Sequence, residues 1–287
     1  SRVGTWHDVT TGQLPARIAA DGIDILIDLA GHTAGGTMRA FARRMAPVQA
    51  SFLGYPGSSG VPNMDWLIGD PVVTPPGADH LCSERVMRLP NTVFCFAPET
   101  DYPLPNFAAV SRGRPLTFGS FNNIPKLTPC TLRLWTEVLK AVPDSRLLLR
   151  APSFKDAGAV ARFHHLFGEQ GIPAERLTFR GPVGLDVMMQ AYGEVDIALD
   201  PFPYCGGTTT LQALWMGVPV LTMEGGQFVS RMGASFMTAA GLPEWVAKDD
   251  TAYVAQAVAL GQDRTALLDL KRGLRARLLA RPGWDAD

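Results

Sequence analysis

Cysteine is scarce in this sequence. Cys82, Cys95, Cys130 and Cys205 form no C-x-x-C pair, and the histidines offer no zinc-ligand spacing. A disulfide framework and a structural zinc site are therefore not expected, and a reducing, cytoplasmic setting is the default. Charge is sparse as well. Asp, Glu, Lys and Arg make up 18% of the 287 residues, below the roughly 25% usual in globular chains, which argues against disorder and coiled coil. With 26 basic and 27 acidic residues the formal net charge is -1. Bulk electrostatics thus gives no reason to expect nucleic acid or an anionic membrane as partner. No apolar run reaches spanning length, since Ile23–Leu29 is interrupted by Asp24 and Asp28. The Walker pattern G-x-x-x-x-G-K-[ST] and the nucleophile elbow G-x-S-x-G are both missing. The one D-x-D, Asp285-Ala286-Asp287, stands at the terminus and not in a loop after a strand, where a carboxylate pair would hold a divalent cation.

What is present is α/β grammar. Apolar residues make up 46% of the chain, and glycine (29) and proline (23) are abundant but concentrated in short motifs between apolar runs. At roughly 150 residues per domain, the length fits two domains or one large α/β unit. Residues 14–20 predict a helix, Ile23–Leu29 a buried strand, 37–45 a helix and Val48–Leu53 a strand, with further short strands at Trp66–Ile68 and Glu84–Leu89. Strand, Gly loop, helix, strand is the βαβ pattern of a parallel sheet. Residues 97–114, with Pro98, Pro103 and Pro105, read as a linker, so that a first domain spans 1–96 and a second 115–287.

The second half alternates more regularly. Strands are expected at 116–120, 146–149, 177–180, 195–199 and 218–223. Helices are expected at 128–141, 157–170, 185–193, 208–216, 229–240, 251–260 and on to about 280. This is a doubly wound, Rossmann-like sheet. The first residue is Ser1, and the expectation is that the chain starts inside a longer gene product.

Four loops at strand ends could carry chemistry. After the strand ending at Asp200, a Pro/Gly loop leads to Gly206-Gly207-Thr208-Thr209 and a helix. Glycines let a ligand approach the backbone, and the helix start favours an anion, a diphosphate being the natural occupant. On the residues alone, Thr208 could equally be an ordinary helix cap and the glycines a plain turn. Phe121-Asn122-Asn123-Ile124-Pro125-Lys126 places a lysine at another strand end, which is either a phosphate-binding cation or a solvated loop lysine. Gly31-His32-Thr33 and Leu53-Gly54-Tyr55 follow strands in the first half. Each is a weak signal singly, and a loop histidine is more often structural than catalytic. The four together are more than chance supplies.

At these residues the sequence resembles the bacterial O-linked N-acetylglucosamine transferase family, the SPINDLY-like proteins. The resemblance is carried by Asp21–Thr33, Ala46–Gln49, Leu53–Gly57, Asp200–Tyr204 with Gly207–Thr210, Ala213–Val220 and Ser230-Arg231, in order over residues 18–245. It implies a GT-B fold of two Rossmann-like domains, the first of them partial here, facing a cleft that takes a UDP-sugar. It further implies inversion at the anomeric carbon, no metal and no cofactor beyond the donor. Lys126 would stabilise the leaving UDP as the catalytic cation. Thr208 and Thr209 would hold the phosphates, Gly206 and Gly207 would let the donor come close to the backbone, and Asn123 stands where the family has an amide near the phosphates. Val183 would offer its backbone to uracil. Leu53, Gly54 and Tyr55 would line the sugar side, with His32 and Thr33 near it from the first domain.

This sequence departs from the family pattern at three places. Met188 stands where a histidine usually stacks on uracil, Gln212 where a carboxylate binds ribose, and Cys205 where an asparagine precedes the glycines. The family's opening Asp-x-x-x-His segment, its upstream helical repeats of TPR type and its closing aromatic helix have no counterpart here, so a fragment of the catalytic region is expected. The implied function is transfer of N-acetylglucosamine from UDP-GlcNAc to Ser/Thr hydroxyls of proteins. The alternatives are a catalytically inert nucleotide-sugar-binding or scaffold fragment, or transfer from GDP-fucose, which related members use.

Overall fold

The computed structural model describes residues 9–98, 100, 102–105, 107 and 113–284. They belong to two compact units, Ser1–Phe94 and Cys95–Asp287. The D-x-D at 285–287 lies outside the described residues.

In the first unit α1 (Leu14–Ala20) precedes β1 (Ile25–Asp28), α2 (Met38–Phe41), β2 (Val48–Ser51), β3 (Trp66–Gly69) and β4 (Arg85–Arg88). The four strands form a parallel sheet in the order β1-β2-β3-β4. Ile18, Met38, Phe41, Met45 and Met64 make its core, with Ile23 and Leu26 packed against them. Gln49, buried on β2, fastens the sheet to the helical layer. It accepts from Met45 N (3.0 Å) and donates to Phe41 O (3.2 Å) and Asn63 O (2.7 Å).

The expectation of a buried strand at 23–29 needs correction. Ile25 and Leu29 are each 62% exposed, and Ile27 is exposed too. Among the described residues β1 stands at the edge of its sheet, and side chains alternate between the two faces of a strand. Only the face carrying Leu26 and Asp28 is covered by the described residues. A continuous apolar run in a parallel strand is buried only where both faces are covered.

The second unit contains β5 (Thr117–Ser120), α3 (Pro129–Ala141), β6 (Arg146–Arg150), α4 (Ala157–Gly168), β7 (Leu177–Arg180), α5 (Leu185–Ala191), β8 (Ile197–Leu199), α6 (Thr208–Trp215), β9 (Val220–Met223), α7 (Met232–Ala239), β10 (Val246–Ala247), α8 (Asp250–Gln262) and α9 (Arg264–Leu279). The strands are parallel in the order β10-β9-β8-β5-β6-β7. The chain runs outward from β5 to β7, returns to β8 on the other side of β5, and continues to β10. The order therefore reverses between β5 and β8, and in open α/β sheets ligands bind at such a switch point, beyond the carboxyl ends of the strands. Gly119, in the middle of β5, leaves room for the segment that leads into β8. A Cβ there would stand 2.5 Å from Val195 Cγ2.

Helix α3 starts as its sequence dictates. The Thr128 hydroxyl accepts from Thr131 N at 3.2 Å, and Pro129 occupies the first helical position. The two-residue β10 has no counterpart among the expected strands, being too short to show periodicity. Within the expected linker 97–114, several residues lie outside those described. Tyr102 and Phe107 are buried, and Phe107 packs with Leu268 and Leu104.

Candidate functional site

The switch point is built from two loops. After β5 come Phe121, Asn122 and Asn123 and a single 3-10 turn, Ile124–Lys126. After β8 comes the run from Asp200 to Gly207, and then α6. Ser120, Phe121, Asn122, Tyr192, Asp200 and Thr209 line a small pocket at this point.

The β8 loop is clamped along its length. Phe202 O accepts from the hydroxyls of Thr128 (3.0 Å) and Thr131 (2.7 Å), and Cys205 N donates to Val229 O at 3.2 Å. Asp200 is buried and accepts from Gly206 N (2.7 Å), Thr222 Oγ1 (2.8 Å) and Thr210 Oγ1 (3.2 Å). Burial pushes its carboxyl above the usual range, against the pull of the Gly206 N–H, the Thr222 hydroxyl and the Lys126 charge. Gly206 is required by space. A Cβ there would come within 2.1 Å of Thr210 Oγ1 and 2.9 Å of Asp200 Oδ1. Cys205 is buried, and burial beside Asp200 raises its thiol well above the ordinary value, so it is no thiolate nucleophile.

Lys126 Nζ reaches across from the β5 loop to donate to Cys205 O at 2.7 Å, and it lies 4.3 Å from the centre of the Tyr204 ring. Burial lowers its pKa from the ordinary lysine value, while Asp200 and Cys205 push it back up. Lys126 is thus not a solvated loop lysine. The cap of α6 is Gly207, not Thr208, which is exposed at the first helical position. Among the described residues, the N–H groups of Thr208 and Thr209 have no acceptor, as the first turn of a helix requires. The Thr209 hydroxyl donates to Asn122 Oδ1 at 3.0 Å, and the Tyr192 hydroxyl donates to Thr209 O at 2.9 Å. The structure thus brings Lys126, Gly206, Gly207, Thr208 and Thr209 onto two joined loops. Asn123 is exposed beside them, and Gln212 is half-buried on α6. Val183 is exposed in the loop after β7, and Met188 is half-buried on α5.

In the first unit the residues expected on the sugar side also cluster. A Cβ on Gly54 would stand 1.7 Å from Leu29 O, so the loops after β1 and β2 touch backbone to backbone. Leu53 has φ +65°, and Gly54 N donates to Phe52 O at 2.8 Å, which makes a γ-turn of the rarer, strained hand. His32 packs edge-on against Tyr55, with ring centres 5.1 Å apart, and Nε2 donates to Ser59 O at 2.7 Å. A carbonyl only accepts, so in the neutral ring the lone pair lies on Nδ1. Thr33 is exposed next to it.

Residue-type reasoning missed Glu84. It is buried and accepts from Ser59 N (2.7 Å), Ser58 Oγ (2.8 Å) and the Ser59 hydroxyl, and so it holds the loop on which His32 rests. Burial raises its pKa, but the Ser59 and Ser58 bonds outweigh that and leave it below the usual range. Asp200 was legible as an acid ending an apolar strand, whereas nothing around Glu84 in the sequence marks its role. Among the described residues no group of three or more His, Cys, Asp or Glu side chains gathers as a metal site, and no helix is long and apolar enough to cross a membrane.

This geometry can be set beside known proteins. A probable UDP-N-acetylglucosamine–peptide N-acetylglucosaminyltransferase SPINDLY of Solanum lycopersicum is 37% identical over 98% of this chain and 31% of its own length. A solved lysine-to-methionine mutant of Thermobaculum terrenum O-GlcNAc transferase superposes with TM-score 0.89 at 38% identity, over 95% of this chain and 52% of that one. The chain therefore spans about a third of the curated relative and about half of the solved one. An Escherichia coli trehalose-6-phosphate structure with UDP-2-fluoroglucose shares the fold alone, with TM-score 0.57 and 13% identity over 94% of this chain and 72% of that one. The two parallel-sheet units are Rossmann-like, of the GT-B class. The family model of glycosyl transferase family 41 matches residues 7–103 and 97–282, and with so much of the chain accounted for, it belongs to that family.

Proposed function

We propose that this chain is the donor-binding catalytic part of an inverting, metal-independent transferase that moves N-acetylglucosamine from UDP-GlcNAc to Ser and Thr hydroxyls of proteins. One observation carries the reading. A half-buried ammonium, Lys126, is bonded to the main chain of the loop that opens α6, so a fixed cation and a helix N-terminus meet where two loops join. A nucleoside diphosphate is the ligand class that needs both. The acceptor oxygen attacks the anomeric carbon from the face opposite UDP. The bond from that carbon to the diphosphate oxygen breaks, and its electron pair leaves with UDP. The acceptor proton passes to a base that this chain does not identify. Lys126 meets the charge that grows on the diphosphate. The Thr208 hydroxyl and the N–H groups of Thr208 and Thr209 hold the phosphates before and after. Gln212 is assigned to ribose, the Val183 backbone and Met188 to uracil, and His32, Thr33, Leu53, Gly54 and Tyr55 to the sugar. Protein acceptors would be presented by TPR-type repeats in the whole protein.

The relatives' names support the donor and the acceptor class. The test has two arms. UDP calorimetry on this chain should show saturable binding that Lys126→Met weakens. Isotope-traced transfer by the full-length protein should follow UDP-GlcNAc. Transfer from GDP-fucose instead would overturn the sugar and keep the nucleotide site. UDP binding without transfer from either donor would make the protein an inert binding module, and no UDP binding would remove the site.

A further inference from the structure

An ammonium has three hydrogens, and the Cys205 carbonyl takes one of those on Lys126. The second contact is with a ring. Tyr204 is 40% exposed, so it fills no core, yet its ring centre lies 4.3 Å from Lys126 Nζ. Its main chain is fixed on both sides, by the Thr128 and Thr131 hydroxyls on Phe202 O and by Cys205 N on Val229 O. A clamped loop thus carries an aromatic face to a cation, and the face of an aromatic ring attracts cations.

We propose that Tyr204 is the positioning residue of Lys126, its ring face and the Cys205 carbonyl together holding the ammonium at the switch-point crevice. The inference rests on the reading of Lys126 as the group that meets the leaving diphosphate. Without the ring, a flexible four-carbon stem is left with one hydrogen bond to direct it. The ring also favours the charged form. The ionisable groups that face the amine are Asp200 at the end of β8 and Cys205 on the loop. Both raise its pKa, against a burial that lowers it.

The experiment uses the chain carrying 13C at lysine Cε. Its lysines are Lys126, Lys140, Lys155, Lys248 and Lys271, and Lys126→Met identifies the signal of interest. Tyr204→Phe keeps the ring face and should leave the Lys126 titration midpoint where it is. Tyr204→Leu removes the face and should lower that midpoint by roughly 0.3–1 pH unit. Lys271, on α9, should titrate alike in all three and so reports an intact fold. Tyr204→Met serves if the leucine variant does not fold. In the full-length enzyme the leucine variant should lose kcat about 3–10-fold, with a smaller change in donor KM, and Tyr204→Phe should restore it. An unmoved midpoint in Tyr204→Leu, or an equal shift in Tyr204→Phe, overturns the proposal. A shifted midpoint together with full activity in Lys126→Met would leave the contact in place and overturn the functional reading beneath it.

Discussion

An ammonium stabilises a leaving diphosphate only while it stays charged and in place, and at residue 126 these two demands conflict. Burial that fixes the amine also favours its neutral form. The charge of Asp200 resists the loss. Because the charge on UDP grows as the glycosidic bond breaks, Lys126 should act on the transition state more than on the bound donor. Lys126→Met in the full-length protein should lower kcat by roughly 10²–10³, as removal of one preorganised electrostatic donor does. Donor affinity should fall less. Steady-state kinetics decides, and a kcat within about twofold of wild type would place Lys126 outside the chemistry. Thr208→Val should do the reverse, since the Thr208 hydroxyl would meet the phosphates in both states. It should weaken UDP roughly 3–10-fold by calorimetry while leaving turnover at saturation nearly unchanged. Lys126 and Thr208 were legible in the sequence because each sits at a strand-to-helix junction that local pattern defines. The Asp200–Lys126 coupling was not, since it joins β8 to the loop after β5, and only the folded order of strands brings those together.

At the scale of elements, the loops after β1 and β2 are held by groups remote in sequence. Glu84, on the approach to β4, satisfies two hydroxyls and one backbone N–H of Ser58 and Ser59, and Ser59 O in turn fixes His32. Glu84→Gln would turn an amide NH2 toward donors that need an acceptor. The expected cost is about 1–3 kcal/mol, read as a lower melting temperature of the first unit. The sign with pH follows from the lowered pKa. The stabilisation is present above the carboxyl's unfolded value and is lost as pH falls through the folded one. The melting difference between wild type and Glu84→Gln should therefore shrink in acid, and a difference that stays constant with pH would mean that Glu84 acts by shape alone. Element boundaries show the same limit of local reading. The helix expected over 37–45 contracts to Met38–Phe41, and the strand expected over 48–53 stops at Ser51, where Leu53 takes positive φ to bring Gly54 against Leu29. Glycine spacing marked that loop, but the close approach depends on β1 lying beside β2.

For the molecule as a whole, alternation of apolar runs and Gly loops was enough to announce two parallel α/β sheets. The burial of individual charges was hidden from it. Lys271 shows why. The buried face of α9 runs through Leu267, Lys271, Leu274 and Leu278, so a lysine occupies one position of an otherwise apolar stripe. Its Nζ donates to Val195 O and Asp196 O, and Phe107 lies beneath it at 4.9 Å. This ties the last helix and the segment before β5 to the start of β8. Asp196 is already met by Arg114 at 2.8 Å and Arg264 at 3.5 Å, so a third cation is in surplus. Burial first, then repulsion from Arg114 and Arg264 against the attraction of Asp196, brings the Lys271 pKa down from 10.5 to about 7. A neutral amine has two hydrogens to donate, one for each carbonyl. Between pH 7 and 10.5 the unfolded chain holds a proton that the folded chain has released, so this site makes stability rise with pH across that window. Below the window both states are charged and the burial penalty stands in full. Lys271→Met keeps the length of the side chain and removes the charge. The stability of wild type relative to Lys271→Met should then climb from neutral to alkaline pH, with a slope approaching about 1.4 kcal/mol per unit. Near pH 6 the methionine variant should melt no lower than wild type, because it gives up two hydrogen bonds along with a costly buried charge. Melting curves of both proteins from pH 6 to 10 test this. A wild-type advantage that does not change with pH would mean that Lys271 stays charged in the fold and that its hold on β8 is an ion pair with Asp196.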